Sequence, residues 1–506
     1  MLKTKKEVSI FRSALPIISL FLLILVGVII MPQLTATMTE VTDSSGTVST
    51  VKEPGEAMPL ELVFIFATII SIANLFSMGF KWKEIENEVV KKVAKLVPAA
   101  MILFSIGLIV GSWVFSGTIP MLIYYGVDLI NPNYIYLVAF IVPSIFSILT
   151  GTSWGSAGTI GVVLLGIAAA IDANLAIVAG AVVGGAYFGD KMSPLSDTTN
   201  IAALAADVPL MDHIRSMINT TGPAYILAAI TYAIIGFTTS INSDAAQLND
   251  IVILKNELSS LFNFSNLFLI IIILIPIIIV LYGSFTKKPT VPTLIVSSII
   301  AALIGVFLHG FSFEQMLAAL NTGFDTSLVF PDVEINKDVT EILNRGGLYS
   351  MVEPVIISIM VFIFVGTLDC IDAIPNIINK SFAWIKSRPQ AIISSLFATG
   401  LTNALTSNQF ATSYIIAEAF RPIYSKFKIP RKVLSRSIED YGTMIENLLP
   451  WTTTGVFMFG ALGVSALDYW KFQFVSLYGF VIAIILALTG IGCFYNEKRK
   501  TAEKGE

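Results

Sequence analysis

Gly189–Asn200 reads GDKMSPLSDTTN: two aspartates, a lysine, two serines, two threonines and an asparagine in one short stretch. It directly follows Ile160–Phe188, a run that is almost wholly apolar. A segment built for lipid that ends this way either leaves the membrane there or breaks inside it. As a cytoplasmic loop, Pro194 and the serines would be turn formers and Asp197 a helix cap. As a broken helix, Pro194 withdraws a backbone N–H and forbids regular helix around it. Unwound backbone then offers carbonyls to a cation, while half-helix N-termini attract anions. A matching polar break in the second half of the chain argues for the broken helix.

The rest of the chain supplies the setting. Of 506 residues, 55% are hydrophobic and only 13% charged, and the mean hydropathy is +0.80. Soluble domains carry about a quarter charged residues. Runs such as Ala14–Met31, Leu60–Phe80, Leu267–Tyr282, Val291–Leu308 and Phe474–Phe494 are long enough to cross about 30 Å of hydrocarbon. The expected fold is an all-α polytopic membrane protein. The first run is too long for a secretory h-region and lacks a small-residue cleavage pattern, so it reads as a true span. The two cysteines, Cys370 and Cys493, sit in or beside apolar runs and do not suggest a disulfide framework. No GxGxxG before a helix and no GxxxxGK[ST] loop is present, which argues against an ATP-driven pump. His213 and His309 read as interfacial.

Lys and Arg mark the cytoplasmic side. Lys3, Lys5, Lys6 and Arg12, the five lysines of Lys81–Lys95, Lys287–Lys288, Lys380–Arg388, Arg421–Arg436 and Lys498–Lys500 are basic points, whereas Pro32–Pro59, Asn242–Asn266 and Gly310–Tyr349 are acidic. Both termini are therefore expected in the cytoplasm of a multi-pass cell-membrane protein. Parity then requires Ala391–Phe420 to enter from the cytoplasm and return, and Ile135–Val178 to do the same from outside. The expected organisation is N-terminal spans and a link (1–95), a first inverted repeat (96–242, hairpin about 135–178, broken helix about 180–205), an outer loop (243–265), linking spans with an acidic loop (266–349), a second inverted repeat (350–496, hairpin about 391–420, broken helix about 438–466) and a cytoplasmic tail (497–506). An offset of about 250 pairs Thr152 with Thr402, Ser156 with Thr406, Asp190 with Asp440 and Ser193 with Thr443. Inverted repeats with interrupted helices near the midplane are the signature of secondary transporters.

The chemistry follows. An Asp in a membrane segment costs on the order of 2.5–3.5 kcal/mol, so Asp190 and Asp197 need a cation, a proton or Lys191. Ser193, Asp197, Thr198, Thr199 and Asn200 are hard oxygen donors, suited to Na⁺ rather than a soft metal. Thr152, Ser153 and Ser156 in GTSWGSAGTIG form a hairpin tip that either touches substrate or packs through its small residues. Asn403, Thr406 and Gln409 form a second, more polar tip. Glu439, Asp440, Thr443, Thr452 and Thr453 form the second-repeat cluster, with a surface salt bridge as the other reading of Glu439–Asp440. Glu353 beside Pro354 is either a proton-linked carboxylate or an interfacial residue.

At these motifs the chain resembles the NhaC family of sodium/proton antiporters. GTSWGSAGTIG, GDKMSPLSDTTN, LSRSIEDYGTM and LLPWTTTG carry the resemblance, in order, from about Ala14 to Phe494. It implies the ion-transporter superfamily architecture, with two re-entrant hairpins, a scaffold part, a moving part and often a homodimer. It implies exchange of Na⁺ for H⁺, or in one subgroup exchange of malate with protons for lactate with Na⁺. The family's motif residues fall on Asp190, Ser193, Asp197, Thr198 and Thr199, and on Glu439, Asp440, Thr443 and Thr452. Glu353 and the threonines of LPWTTTG depart from the family pattern. The expectation is a secondary transporter in which Asp190 and Asp197 hold Na⁺ or H⁺ in competition, with no other cofactor and no nucleic-acid partner. An organic-anion exchanger is the alternative, marked by the density of hydroxyls and amides at the tips; a fixed positive group in the site would favour it. A channel would need a continuous polar path instead of four polar points. Enzymatic chemistry has no visible nucleophile–base pair.

Overall fold

The computed structural model describes residues 8–42, 48–53, 55–239, 245–262, 264, 266–333, 335–381 and 385–495. The basic residues at 3, 5 and 6, residues 243–244, 263 and 265 of the expected outer loop, residues 382–384 of the basic stretch 380–388 and the tail 497–506 lie outside the described residues. Among the described residues, ten helices are long and apolar enough to cross a membrane. The first runs Ile10–Leu34 and the last of them Leu348–Asp369. One departure from an all-α fold is an antiparallel ribbon, Thr37–Thr42 paired with Val48–Glu53, inside the acidic stretch 32–59. Its threonines and valines are β-branched and favour extended backbone, a signal masked by the stretch's overall polarity.

The chain forms two compact units. The smaller comprises Met1–Val97 and Ile356–Trp384. Its helices are joined by buried or half-buried polar contacts: Ser71 Oγ and Thr367 Oγ1 lie 2.6 Å apart, and Lys92 Nζ lies 2.9 Å from Asp369 Oδ2. The larger comprises Pro98–Val355 and Ile385–Glu506 and holds both hairpins and both broken helices.

In the larger unit the first hairpin has arms Ile135–Thr150 and Ser153–Ala170. The returning arm carries a π-helical turn at Ala157–Gly161. The first broken helix is Leu175–Met192 followed by Asp197–Ala206. In the second half the hairpin is Arg388–Thr406 and Gln409–Lys426. Its broken helix runs Arg431–Ile438, a π-turn Glu439–Thr443 and Met444–Glu446, then resumes as Thr453–Leu462.

The two halves register at a spacing of 256 positions, not about 250. Gly151 and Ser407 end the first hairpin arms in the left-handed region, at φ 70° and 51°. Thr152 and Asn408 then cap the returning arms, accepting from Gly155 N at 3.1 Å and Ala411 N at 2.8 Å. Pro194 and Pro450 stand in the two breaks. Ser196 and Thr452 cap the resumed helices, which each have ten residues and end on Asp207 and Gly463, again left-handed. Every one of these pairs is 256 apart. The four residue matches of the shorter offset align chemically similar side chains, whereas turns and caps obey backbone geometry.

The close packing follows from small residues. Going from Gly185 to Gly189 to Ser193 along the first broken helix, the partners are Phe140 O, Ser144 O and Ile148 O along the hairpin arm, so the two run parallel. Going from Gly400 to Asn403 to Ser407, the partners are Tyr441 and Ile445, then Glu446, then Thr453, which places the second pair the same way. Of the GTSWGSAGTIG tip, Gly158 and Gly161 are packing residues, set against Ile106 and Val182, while Thr152 and Ser153 supply its polar end.

A Cβ at Gly185 or Gly189 would lie 2.1 or 2.3 Å from those backbone carbonyls, whereas at Gly184 the nearest atom is 3.6 Å away. Gly185→Ala and Gly189→Ala should each cost about 1–3 kcal/mol and lower the melting temperature in detergent, with Gly184→Ala near wild type. Equal melting of all three variants would contradict the parallel packing.

Candidate functional site

Four carboxylates are buried among the described residues: Asp190, Glu439, Asp440 and Glu446. All belong to the two broken helices, just before the breaks. Burying an ionised carboxylate is tolerated only with a partner, so the partners define what each can do.

Asp190 lies in the last turn before the first break. Its Oδ2 accepts from Ser153 Oγ at 2.8 Å, which brings the first hairpin tip to the first broken helix. The break itself is tied down by Ser193 Oγ donating to Ile148 O at 2.7 Å and accepting from Leu195 N at 3.3 Å. Thr199 donates to Lys191 O at 3.2 Å, and the Thr198 and Ser196 hydroxyls lie 3.0 Å apart. Asn200 donates to Ser196 O at 2.7 Å and Pro194 O at 3.1 Å. Asp197 opens the resumed helix and is exposed, as is Asn200, while still within electrostatic reach of Asp190. Asp190 and Asp197 thus sit in different surroundings, one inside the protein and one at the mouth of the break. Ser156 turns back to its own backbone, donating to Thr152 O at 2.7 Å.

Lys191 points the other way. It is 2% exposed, and its Nζ lies 2.5 Å from Asp440 Oδ1. The same oxygen accepts from Thr220 Oγ1 at 2.9 Å, and Arg436 Nε stands 3.9 Å from Oδ2. Among the described residues, Asp440 is therefore flanked by both buried cations of the larger unit. Its neighbour Glu439 accepts from Thr443 Oγ1 at 2.6 Å and leaves its other oxygen without a hydrogen-bond partner. This cluster is internal rather than a surface salt bridge, because the π-turn buries both acidic side chains. His213 is also buried, not interfacial. Its Nδ1 lies 2.8 Å from Ser435 Oγ, since the helix Leu210–Thr238 packs on the second broken helix. His309 is half-buried and contacts Ser116 O at 3.0 Å. Glu353 is exposed.

Glu446 escaped the residue-by-residue reading. It stands four residues before Pro450, as Asp190 stands four before Pro194, and that spacing was the available signal. Around it, Asn403 Nδ2 donates to Gln409 Oε1 at 2.9 Å, to Gly442 O at 2.7 Å and to Glu446 Oε2 at 3.3 Å. Thr453 Oγ1 lies 3.3 Å from Glu446 Oε1 and 3.1 Å from Ser407 O. Thr452 donates to Glu446 O, and Thr406 lies 3.0 Å from Thr412. The second tip thus meets the second break around a carboxylate, as the first does. The two assemblies are joined by Trp154, which stacks on Phe457 with centroids 4.3 Å apart and donates to Thr454 at 3.3 Å.

Comparison with known proteins gives the family. The profile of the Na⁺/H⁺ antiporter family matches residues 185–491, which includes both breaks. An uncharacterised Na⁺/H⁺ antiporter of Haemophilus influenzae is 40% identical over 86% of this chain and 92% of its own length. The Na⁺/H⁺ antiporter NhaC of Bacillus subtilis is 33% identical over 84% and 91%. The malate-2H⁺/Na⁺-lactate antiporter of the same organism is 31% identical over 88% and 93%. The chain therefore belongs to the NhaC-type Na⁺/H⁺ antiporter family of membrane transporters.

Proposed function

We propose that the protein is a secondary transporter of the cell membrane that exchanges Na⁺ for H⁺, with Asp190 at its centre. The observation that carries this is the environment of Asp190: a buried carboxylate at a helix break, bonded to a tip hydroxyl and paired with no lysine or arginine among the described residues. An ionised carboxylate in that position needs a positive charge, and either Na⁺ or H⁺ supplies it. Ser153 donates to the carboxylate and also offers lone pairs to a hard cation. Ser193, Thr198 and Thr199 line the break, and the exposed Asp197 gives the entering cation a first anionic contact.

One site that holds either ion, and that moves only when neutralised, enforces exchange. Alternating access then comes from the hairpins and broken helices moving against the other spans. The charge pattern supports cytoplasmic termini and two halves inverted across the membrane, and the family resemblance supports a homodimer. Lys191 bears on the organic-anion reading. A malate or lactate carboxylate would need a fixed positive group, and Lys191 is already engaged by Asp440 at 2.5 Å. That favours a bare cation over an organic acid as the partner of H⁺.

In liposomes loaded with a pH dye, a Na⁺ pulse alone should move protons. Asp190→Asn should reduce the signal to that of empty liposomes while the protein still elutes as a single folded species. Proton movement only when malate and lactate are present on opposite sides would replace this reading with anion exchange.

Because Na⁺ and H⁺ compete for the same oxygens, acidification should weaken apparent Na⁺ affinity. The half-saturating Na⁺ concentration should rise by up to about tenfold per pH unit in the acidic range and level off in the alkaline range. A half-saturating concentration independent of pH would exclude a shared site.

A further inference from the structure

We propose that Glu446 forms a second monovalent-cation site that, like the Asp190 site, takes Na⁺ or H⁺; this rests on the exchange reading above. The argument begins with charge. Among the described residues of the larger unit, four buried carboxylates face two buried cations, Lys191 and Arg436. Both cations stand at Asp440, at 2.5 and 3.9 Å. Lys191 also acts through space on the adjacent Glu439 of the same π-turn. Asp190 and Glu446 are left, and neither pairs with a lysine or arginine among the described residues. A buried carboxylate without a resident cation must carry a proton or a mobile ion.

The second observation is a buried oxygen with nothing to bond. Asn403 is fully buried, and its Nδ2 is surrounded by three acceptors, Gln409 Oε1, Gly442 O and Glu446 Oε2. Those acceptors fix which end of the amide is nitrogen. Its Oδ1, on the same amide that meets Glu446, has no hydrogen-bond partner. An unpartnered carbonyl oxygen at full burial is rare in a settled core and is the donor a hard cation takes. Thr453 Oγ1, 3.3 Å from Glu446, adds a hydroxyl. Tyr187, whose hydroxyl lies 2.9 Å from Thr454 Oγ1, approaches from the first broken helix and carries no charge to compete.

The third observation is position. Glu446 and Asp190 occupy equivalent places in the two halves, each four residues before the break proline, each at its own hairpin tip. The tip partners differ in chemistry: Ser153 donates through a hydroxyl, whereas Asn403 donates through an amide. The two sites therefore share a cation class but differ in affinity.

The test is the number of protons released when Na⁺ binds to purified full-length protein in a weakly buffered dye solution, with choline chloride as the control salt. Glu446→Gln, which keeps the side-chain shape, should release about half the protons of wild type. Asp190→Asn should lose the complementary half, and the double variant should release none. Glu446→Asp should restore release, with altered Na⁺ dependence. This separates loss of a site from misfolding, which gel filtration also reports. Glu446→Gln releasing as many protons as wild type overturns the second site and leaves the first intact. No release from the wild type overturns the exchange reading and the second site with it.

Discussion

The Lys191–Asp440 ion pair joins the two broken helices inside the larger unit, 2.5 Å from nitrogen to oxygen and almost wholly out of water. Each broken helix is weakened where it stops hydrogen-bonding to itself, and nothing in a lipid-like interior replaces the missing bonds. Side chains do so here. Ser193 reaches back to Ile148 O, and Thr452 caps the second break from Glu446 O and Leu449 O. The Ser193 contact, and Thr453 N donating to Ser407 Oγ at 2.6 Å, fix each break onto its own hairpin. The ion pair fixes one half to the other. Removing one partner of a buried pair strands a charge, at about 3–5 kcal/mol, so the pair constrains which arrangements of the two halves are accessible.

The pair also sorts the acidic residues by role. Asp440 has Lys191, Arg436 and Thr220 around it. Asp190 has the hydroxyls of Ser153 and Ser196 and the Ser153 backbone, and Glu446 has the Asn403 amide and the hydroxyls of Thr453 and Thr454. A carboxylate whose counter-charge is covalently tethered cannot exchange it. One whose neighbours are neutral must find its counter-charge in solution. The four carboxylates thus differ in their partners and not in their burial, which all share.

Much of this was legible in the residues. The polar cluster Asp190–Asn200 at the end of an apolar run, with a proline inside it, announces a break, and Thr402–Ser413 announces the second tip. Other features were hidden. Asp197 and Asn200 have the same composition as buried site residues, yet the resumed helix turns them outward. His213 looks interfacial beside Arg215 but is buried by packing against Ser435. The repeat spacing was misjudged because matching Asp190 to Asp440 by residue type is chemically plausible. The correct partner, Glu446, differs by one methylene.

What the sequence determined by itself was the class of protein, the presence of two polar tips and two breaks, and the family. Those depend on hydropathy, proline and local turn chemistry, all properties of short stretches. Which carboxylate meets Lys191 was decided only by the tertiary structure. Residues 191 and 440 are far apart in the chain, and a side chain's counter-charge in a dry interior is whichever group the packing of helices brings within reach.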